Sequence, residues 1–175
     1  MNMKHLRKVV LVILCAGLAC ACGGRDPKLV PVKDFDAARY MGIWHEIARL
    51  DHRFERGLSR VSAEYSRTED GKLTVLNKGF EEKGERWKTI KGVAKFNSDE
   101  KTGDLKVSFF RPFYGDYIIL ELDRENYSYA LVSGPNTKYL WILSRTPTLD
   151  RAITDRLVGK AKALGFDTDK LIFVQ

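Results

Sequence analysis

Three kinds of side chain in this 175-residue chain could do chemistry unaided: three cysteines, three histidines and a scatter of carboxylates. The thiols are Cys15, Cys20 and Cys22, all near the amino terminus. None occurs from Gly23 to Gln175, so that stretch can form neither an internal disulfide nor a thiolate metal site. Beyond the amino-terminal segment the histidines are His45 and His52, on or near one strand. Two histidines with no third ligand in view point to solvent or hydrogen bonding rather than to a metal. Asp51, Glu55 and the Glu81-Glu82 pair stand in turn regions, where solvated charge is the expectation and nothing pairs them as acid and base. No Gly-rich phosphate loop and no Gly-x-Ser-x-Gly elbow is present. The residues therefore offer no catalytic group, no metal and no cofactor. What remains is a thiol cluster at the amino terminus and a late run of aromatic side chains.

The thiols sit in a recognisable context. Lys4, Arg7 and Lys8 precede an almost purely apolar run from Val9 to Ala19, and small residues follow at Ala19, Ala21 and Gly23. A basic start, a short apolar core and small residues at its end predict a secretory signal over residues 1–21. The apolar run is too short for a membrane span of about 20 residues. Cysteines confined to such a cleavage point resemble those of bacterial lipoproteins, whose first mature residue is an acylated Cys. Cys22, with Ala19 and Ala21 before it, fits that position; Cys20 is the alternative, and bulky Leu14 argues against Cys15. The resemblance implies attachment to the membrane through several acyl chains on the amino-terminal Cys, which hold stably where one does not. Gly23, rather than Asp, after Cys22 implies sorting to the outer membrane of a Gram-negative cell. Without Lys4, Arg7 and Lys8, the 30 basic residues fall to 27 against 23 acidic ones, and the charges are interspersed. Nucleic acid is thus a poorly supported partner.

The elements that must position the aromatics come next. Residues 22–34 read as a lipidated tether and extended arm, and Asp36 or Asp34 should cap one helical turn ending at Tyr40. From Gly42-Ile43-Trp44 onward the chain alternates apolar and polar residues in segments of about eight to ten, separated by turn residues such as Glu69-Asp70-Gly71 and Gly134-Pro135-Asn136. In the first segment Trp44, Glu46 and Ala48 are expected on one face, with Ile43, His45, Ile47 and Arg49 on the other. Eight such segments without intervening helices predict an antiparallel sandwich or barrel. One convincing helix, about 148–165, follows Pro147 with Thr148 as its cap, carries the stripe Leu149, Ile153, Leu157, Ala161 and Leu164, and stops at Gly165. Leu171 to Val174 reads as a closing strand. An eight-stranded closed barrel is just wide enough inside for side chains or one small ligand.

Three stretches carry a closer likeness. Gly42 to Arg49 with Asp51 to Leu58, then Leu105 to Gly115, and then Tyr139 to Pro147 with its Arg145, resemble bacterial lipocalins in order along the whole mature chain. His45 stands where that family usually has Tyr, and the second family motif is replaced around Asp123 to Tyr127. The resemblance implies an eight-stranded up-and-down barrel with one carboxy-terminal helix over residues 35–175. It implies no enzyme, fatty acids or lysophospholipids as ligands, a part in membrane maintenance under stress, and homodimers. It also implies that Gly42, Trp44 and Arg145 close the barrel base, leaving the lipid to the other end. The candidate ligand-binding residues are Trp141, Tyr114, Phe110, Tyr117 and Tyr129. Two competing readings are an enzyme acting on a lipid inside such a barrel, and a filled barrel that binds nothing.

Overall fold

A computed structural model describes residues 24–174, so Cys15, Cys20 and Cys22 lie outside the described residues. Eight strands wind in chain order around one axis: β1 (Gly42–Arg49), β2 (Leu58–Arg67), β3 (Leu73–Glu81), β4 (Arg86–Phe96), β5 (Asp104–Phe110), β6 (Phe113–Leu122), β7 (Tyr129–Ser133) and β8 (Leu140–Ser144). Each pairs antiparallel with its neighbour, and β1 pairs with both β2 and β8. That double pairing closes the sheet and removes the free edges along which open sheets aggregate. A two-residue strand, β9 (Ile172–Phe173), adds to the outside of β1 at Ala48 and Arg49.

Alternation along the strands divides the apolar residues into two cores. The inner one fills the lower barrel with Trp44, Tyr65, Leu73, Val75, Leu105, Ile119 and their neighbours. The outer one lies between the barrel wall and the helix α2 (Arg151–Ala163), joining Ile47, Ala48, Ile118, Leu131 and Ile142 to Leu157, Ala161 and Phe166. The helix starts two residues later than the Pro147-Thr148 signal suggests. Asp150, not Thr148, is the cap, accepting from the amides of Ala152 and Ile153. It ends on Gly165 at φ +92°, with Phe166 and Gly165 amides returning to Ala161 and Lys162 carbonyls. That pattern satisfies the last free carbonyls of a helix. Leu157 and Ala161 are fully buried, so the apolar stripe is what holds the helix to the wall.

The lower end is closed by α1 (Ala37–Tyr40), capped by Asp36. Trp44 is completely buried and donates its indole N–H to the Tyr40 carbonyl at 2.9 Å. Arg145 lies over the same indole, its guanidinium carbon 3.9 Å from the ring centroid. Its N–H groups reach the carbonyls of Arg39 (2.7 Å), Ile43 (3.0 Å) and Tyr127 (3.2 Å). Gly42 takes φ +94°, and a Cβ there would stand 3.4 Å from Arg145 Nη1. The extended arm is docked on the barrel, and the docking begins at Arg25. Leu29 is buried in the outer core, Arg25 pairs with Asp104 at 2.8 Å, and the Asp26 amide donates to the Pro135 carbonyl at 2.9 Å.

Candidate functional site

Antiparallel winding puts the β1–β2, β3–β4, β5–β6 and β7–β8 connections at the end opposite Trp44, which makes that end the mouth. The site there begins with an irregularity. The β1–β8 register slips between Glu46 and Ala48, so Glu46 faces Leu143 while Arg49 faces Trp141. A bulge of this kind inserts one residue and resets the alternation. Strict alternation predicted Ala48 on the Trp44 face and Arg49 on the other. Instead Ile47 and Ala48 both join the outer core, and Glu46 and Arg49 both turn inward.

Arg49 then organises the mouth. Its Nη1 meets Glu46 Oε1 at 2.5 Å, and its Nη2 donates to the carbonyls of Glu55 and Leu58, at 3.1 Å each. Those two bonds fold the 50–57 loop back over the barrel. Glu55 is thereby carried inside, where its Oε2 accepts from Trp141 Nε1 and lies against His52 Nε2, both at 3.1 Å. The Glu46 and Glu55 carboxyls are near enough for each to perturb the other. His52 is buried and packs edge-on against Trp141 with ring centroids 5.0 Å apart, and Tyr139 stacks beyond at 6.4 Å from Trp141.

Two carboxyls in a dry site cannot both ionise cheaply beside one arginine. Burial and the charge of Glu55 push Glu46 well above the usual carboxylate range, outweighing the pull of Arg49. Burial alone would raise Glu55 too, but His52, the neighbouring Glu46 carboxyl and the Trp141 N–H hold it below its usual value. The pair thus keeps one proton, on Glu46, and Glu55 supplies the charge that balances Arg49. Several polar atoms nearby are buried without a hydrogen-bond partner: Arg49 Nε, both His52 ring nitrogens and, on β3, Asn77 Oδ1. His52 Nε2 meets Glu55 closely but out of line. Unused polar capacity inside a barrel is what a ligand's polar group would need.

Below this cluster the inward residues Ala63, Asn77, Val107 and Phe109 are only half-buried, so the interior is not completely filled there. Deeper still, the hydroxyls of Tyr40 and Tyr117 meet at 2.7 Å, and the Tyr65 ring packs against Tyr117 with centroids 5.8 Å apart. Burial raises the pKa of all three phenols, which keeps this layer neutral. The result is a lumen with an ionisable rim, apolar walls and a phenolic floor above the Trp44–Arg145 plug.

The structure places the five aromatic candidates differently. Trp141 faces the lumen and Tyr117 its floor. Tyr129 faces outward under α2, with Arg156 5.3 Å from its ring, because its neighbour Ala130 takes the inward position. Tyr114 is on the outer wall above Lys95 and lines a surface groove of about 250 Å³ with Arg67, Lys72 and Glu100. Phe110 lies exposed at the β5–β6 tip. Glu46 and Arg49, which flank the bulge, were not singled out from the sequence; His52 and Glu55, in the loop, were expected to meet solvent or a hydrogen bond and to be solvated charge, but the backbone bonds from Arg49 carry Glu55 inside against Trp141 and bury His52 beside it. Among the described residues no group of three or more His, Cys, Asp or Glu is arranged to hold a metal.

Comparison with known proteins finds the same architecture. The model of the lipocalin-like domain matches residues 35–175. The outer membrane lipoprotein Blc of Vibrio cholerae is 56% identical over 169 residues, covering 96% of this chain and 98% of that protein. The Escherichia coli K12 protein of the same name is 47% identical over 173 residues, covering 98% and 97%. Among solved structures, insecticyanin from the tobacco hornworm superposes with a TM-score of 0.69 at 25% identity, covering 87% of this chain and 86% of that one. These relatives bear the names of outer membrane lipoproteins and of insecticyanin, not of enzymes.

Proposed function

The chain belongs to the lipocalin-like family, and from that premise we propose that it is a lipid carrier held at the outer membrane by acyl chains on Cys22. Two relatives that match nearly its whole length are named outer membrane lipoproteins, which gives it the same location. Its ligands are fatty acids and lysophospholipids, and its setting is the upkeep of that membrane under stress. One observation carries the ligand reading. The closed barrel is plugged at Trp44 and Arg145, yet its interior is not completely filled beneath the Glu46–Arg49–His52–Glu55 cluster that surrounds Trp141.

The energetics suit a single acyl chain. Burying ten methylenes gains about 8 kcal/mol, of which association takes back at least about 4 kcal/mol. A phosphate or ammonium headgroup would then meet the mouth cluster, where Arg49 Nε and the His52 nitrogens are free. Two chains would have to share a lumen already narrowed by Phe109 and Tyr117, so one-chain lipids are favoured over diacyl lipids.

Titrating a lysophospholipid into delipidated protein tests this by Trp fluorescence. Saturable change is expected in the wild type and in Trp44-intact variants, and Trp141→Phe should remove most of it. A response unaffected by Trp141→Phe, or none in either protein, sinks the lumen reading. Sedimentation of the same samples reads whether the homodimer expected of this family forms.

A further inference from the structure

We propose that the outer wall of the barrel carries a second binding site, a cationic groove over β4 and β5 that takes the phosphate group of a small phosphate monoester. Strand register places it. β4 and β5 pair only from Val93–Ser108 to Phe96–Leu105, and beyond Val93 the two strands part. A hollow of about 250 Å³ lies at that fork, against Lys91, Val93, Ser108 and Arg111. A second of the same volume lies against Val93, Lys95, Arg111 and Tyr114 and extends to Arg67 and Lys72. The two share Val93 and Arg111, so they form one groove. Ala94 and Val107 belong to the inner core, which turns their neighbours Val93 and Ser108 to the outer face. The groove thus stands apart from Trp141 and the cluster around it, which are built from β1, β8 and the 50–57 loop.

The chemistry of the groove is one-sided. Five basic residues line it against one acidic residue, Glu100. Two of the cations are already balanced, Arg67 by Glu100 at 2.7 Å and Lys72 by Asp70. Lys91, Lys95 and Arg111 make no ion pair among the described residues. Lys95 instead lies over the Tyr114 ring, its Nζ 4.5 Å from the centroid. Like charges gathered around one hollow repel one another, and an anion between them turns that repulsion into attraction. A second, uncharged group points the same way. Ser108 faces the outer wall yet is only 3% exposed, and its Oγ has no hydrogen-bond partner. Buried hydroxyls in native folds are nearly always paired. An oxygen of an anion held between Lys91 and Arg111 would pair this one.

A phosphate monoester fits these groups better than a carboxylate does. It carries about −1.5 to −2 charges at pH 7 and three acceptor oxygens, which two ammonium groups, a guanidinium and a hydroxyl can share. Arg111 can take two of those oxygens at once, while the lysines act as point charges. Val93 and Tyr114 add an apolar surface that inorganic phosphate would leave unused. Each hollow is smaller than the pockets of about 300–1,000 Å³ that take whole drug-sized ligands. The occupant is therefore of headgroup size, either a sugar phosphate or the glycerophosphate end of a lipid. Neither the lumen nor the acyl anchor enters this argument, so the site stands even where the carrier reading fails.

The test titrates full-length protein, held in uncharged polyoxyethylene detergent micelles, with α-glucosyl phosphate, glycerophosphate, inorganic phosphate and glucose. None of these probes has an acyl chain. Phosphorus NMR line widths give the Kd, and amide shifts of the protein give the place. Both esters should saturate, glucose should not bind, and inorganic phosphate should bind at least about fivefold more weakly than the better ester. The tighter ester names the source, sugar or lipid headgroup, and either supports the proposal. The largest shifts should fall on the amides of Val93, Lys95 and Ser108, with the Trp141 indole unmoved. Lys95→Gln and Arg111→Gln should each weaken ester binding at least about tenfold, Arg111→Lys by less, and Ser108→Ala about threefold. Spectra unchanged away from the groove show that the variants are folded. Raising salt from about 50 to about 200 mM should weaken wild-type binding several-fold. The proposal is overturned by no saturation with either ester below about 10 mM, by glucose or inorganic phosphate matching the esters, or by shifts centred on Trp141. Wild-type affinity in a folded Lys95→Gln/Arg111→Gln double variant overturns it as well.

Discussion

Replacing the two mouth carboxyls one at a time by glutamine tests the assignment of the shared proton. If Glu46 holds the proton and Glu55 the charge, Glu46→Gln changes little at neutral pH, because an amide resembles the protonated acid and can still accept from Arg49. Glu55→Gln leaves Arg49 buried without a counter-charge. Removing one partner of a buried ion pair costs about 3–5 kcal/mol; part of the Trp141 hydrogen bond survives with an amide acceptor, so about 3 kcal/mol is expected. The pH dependence has a definite sign. Glu46 has a raised folded pKa, so its folded form keeps a proton that the unfolded chain releases above about pH 4.3. Wild-type stability should therefore fall as pH rises from there toward the folded value of Glu46, by up to about 1.4 kcal/mol per unit. Glu55 has a lowered folded pKa, so its contribution is present above about pH 4.3 and is lost as pH falls through its folded value. Urea unfolding at pH 5, 6, 7 and 8 reads both effects. Glu46→Gln should flatten the decline with rising pH. Were Arg49 paired instead with an ionised Glu46, Glu46→Gln would be the costly variant and Glu55→Gln the mild one. That reversal, or an unchanged slope in Glu46→Gln, refutes the assignment.

Three further outcomes are expected. Arg145→Ala removes three hydrogen bonds to carbonyls and the cover over Trp44; a loss of about 3–5 kcal/mol is expected in urea unfolding, with Arg145→Lys recovering part of it because its charge stays but its fork is lost. Leu157→Ala empties a fully buried site between helix and wall and should cost about 2–5 kcal/mol while the lysolipid Kd holds, since that core lies outside the lumen. Cys22→Ser should abolish acyl labelling in cells; label that persists there and vanishes in Cys20→Ser moves the anchor to Cys20.

Much of the barrel was legible because its signals are local. Period-two alternation with turn residues between segments marks strands, and the stripe from Leu149 to Leu164 marks the helix. The direction each aromatic takes was not legible. Tyr129 and Trp141 look alike in sequence, but Val132 faces Trp141 across the β7–β8 register, so Ala130 shares the lumen and Tyr129 must leave it. Parity passes from strand to strand only once register is known. The mouth cluster was hidden for a second reason. The alternation in β1 predicts Arg49 on the opposite face from Glu46, and one inserted residue cancels that prediction. Glu55, in a loop, had no parity at all; only the backbone bonds from Arg49 bring it inside.

Those two facts explain one another. Without the slip, Arg49 would point to the helix side, into the apolar outer core, and its guanidinium would have no acceptor there. With the slip it points inward, where a lone arginine would be equally costly. Glu46 alone does not relieve that cost, because burial favours its neutral form. A second carboxyl is needed, and the nearest chain that can supply one is the loop that Arg49 itself fastens. The bulge, the inward arginine, the folded-back loop and the carboxyl pair therefore stand or fall together. Inserting one residue between Ala48 and Arg49 should turn Arg49 outward and release the loop as well, so the mouth would lose its polar rim in one step rather than residue by residue.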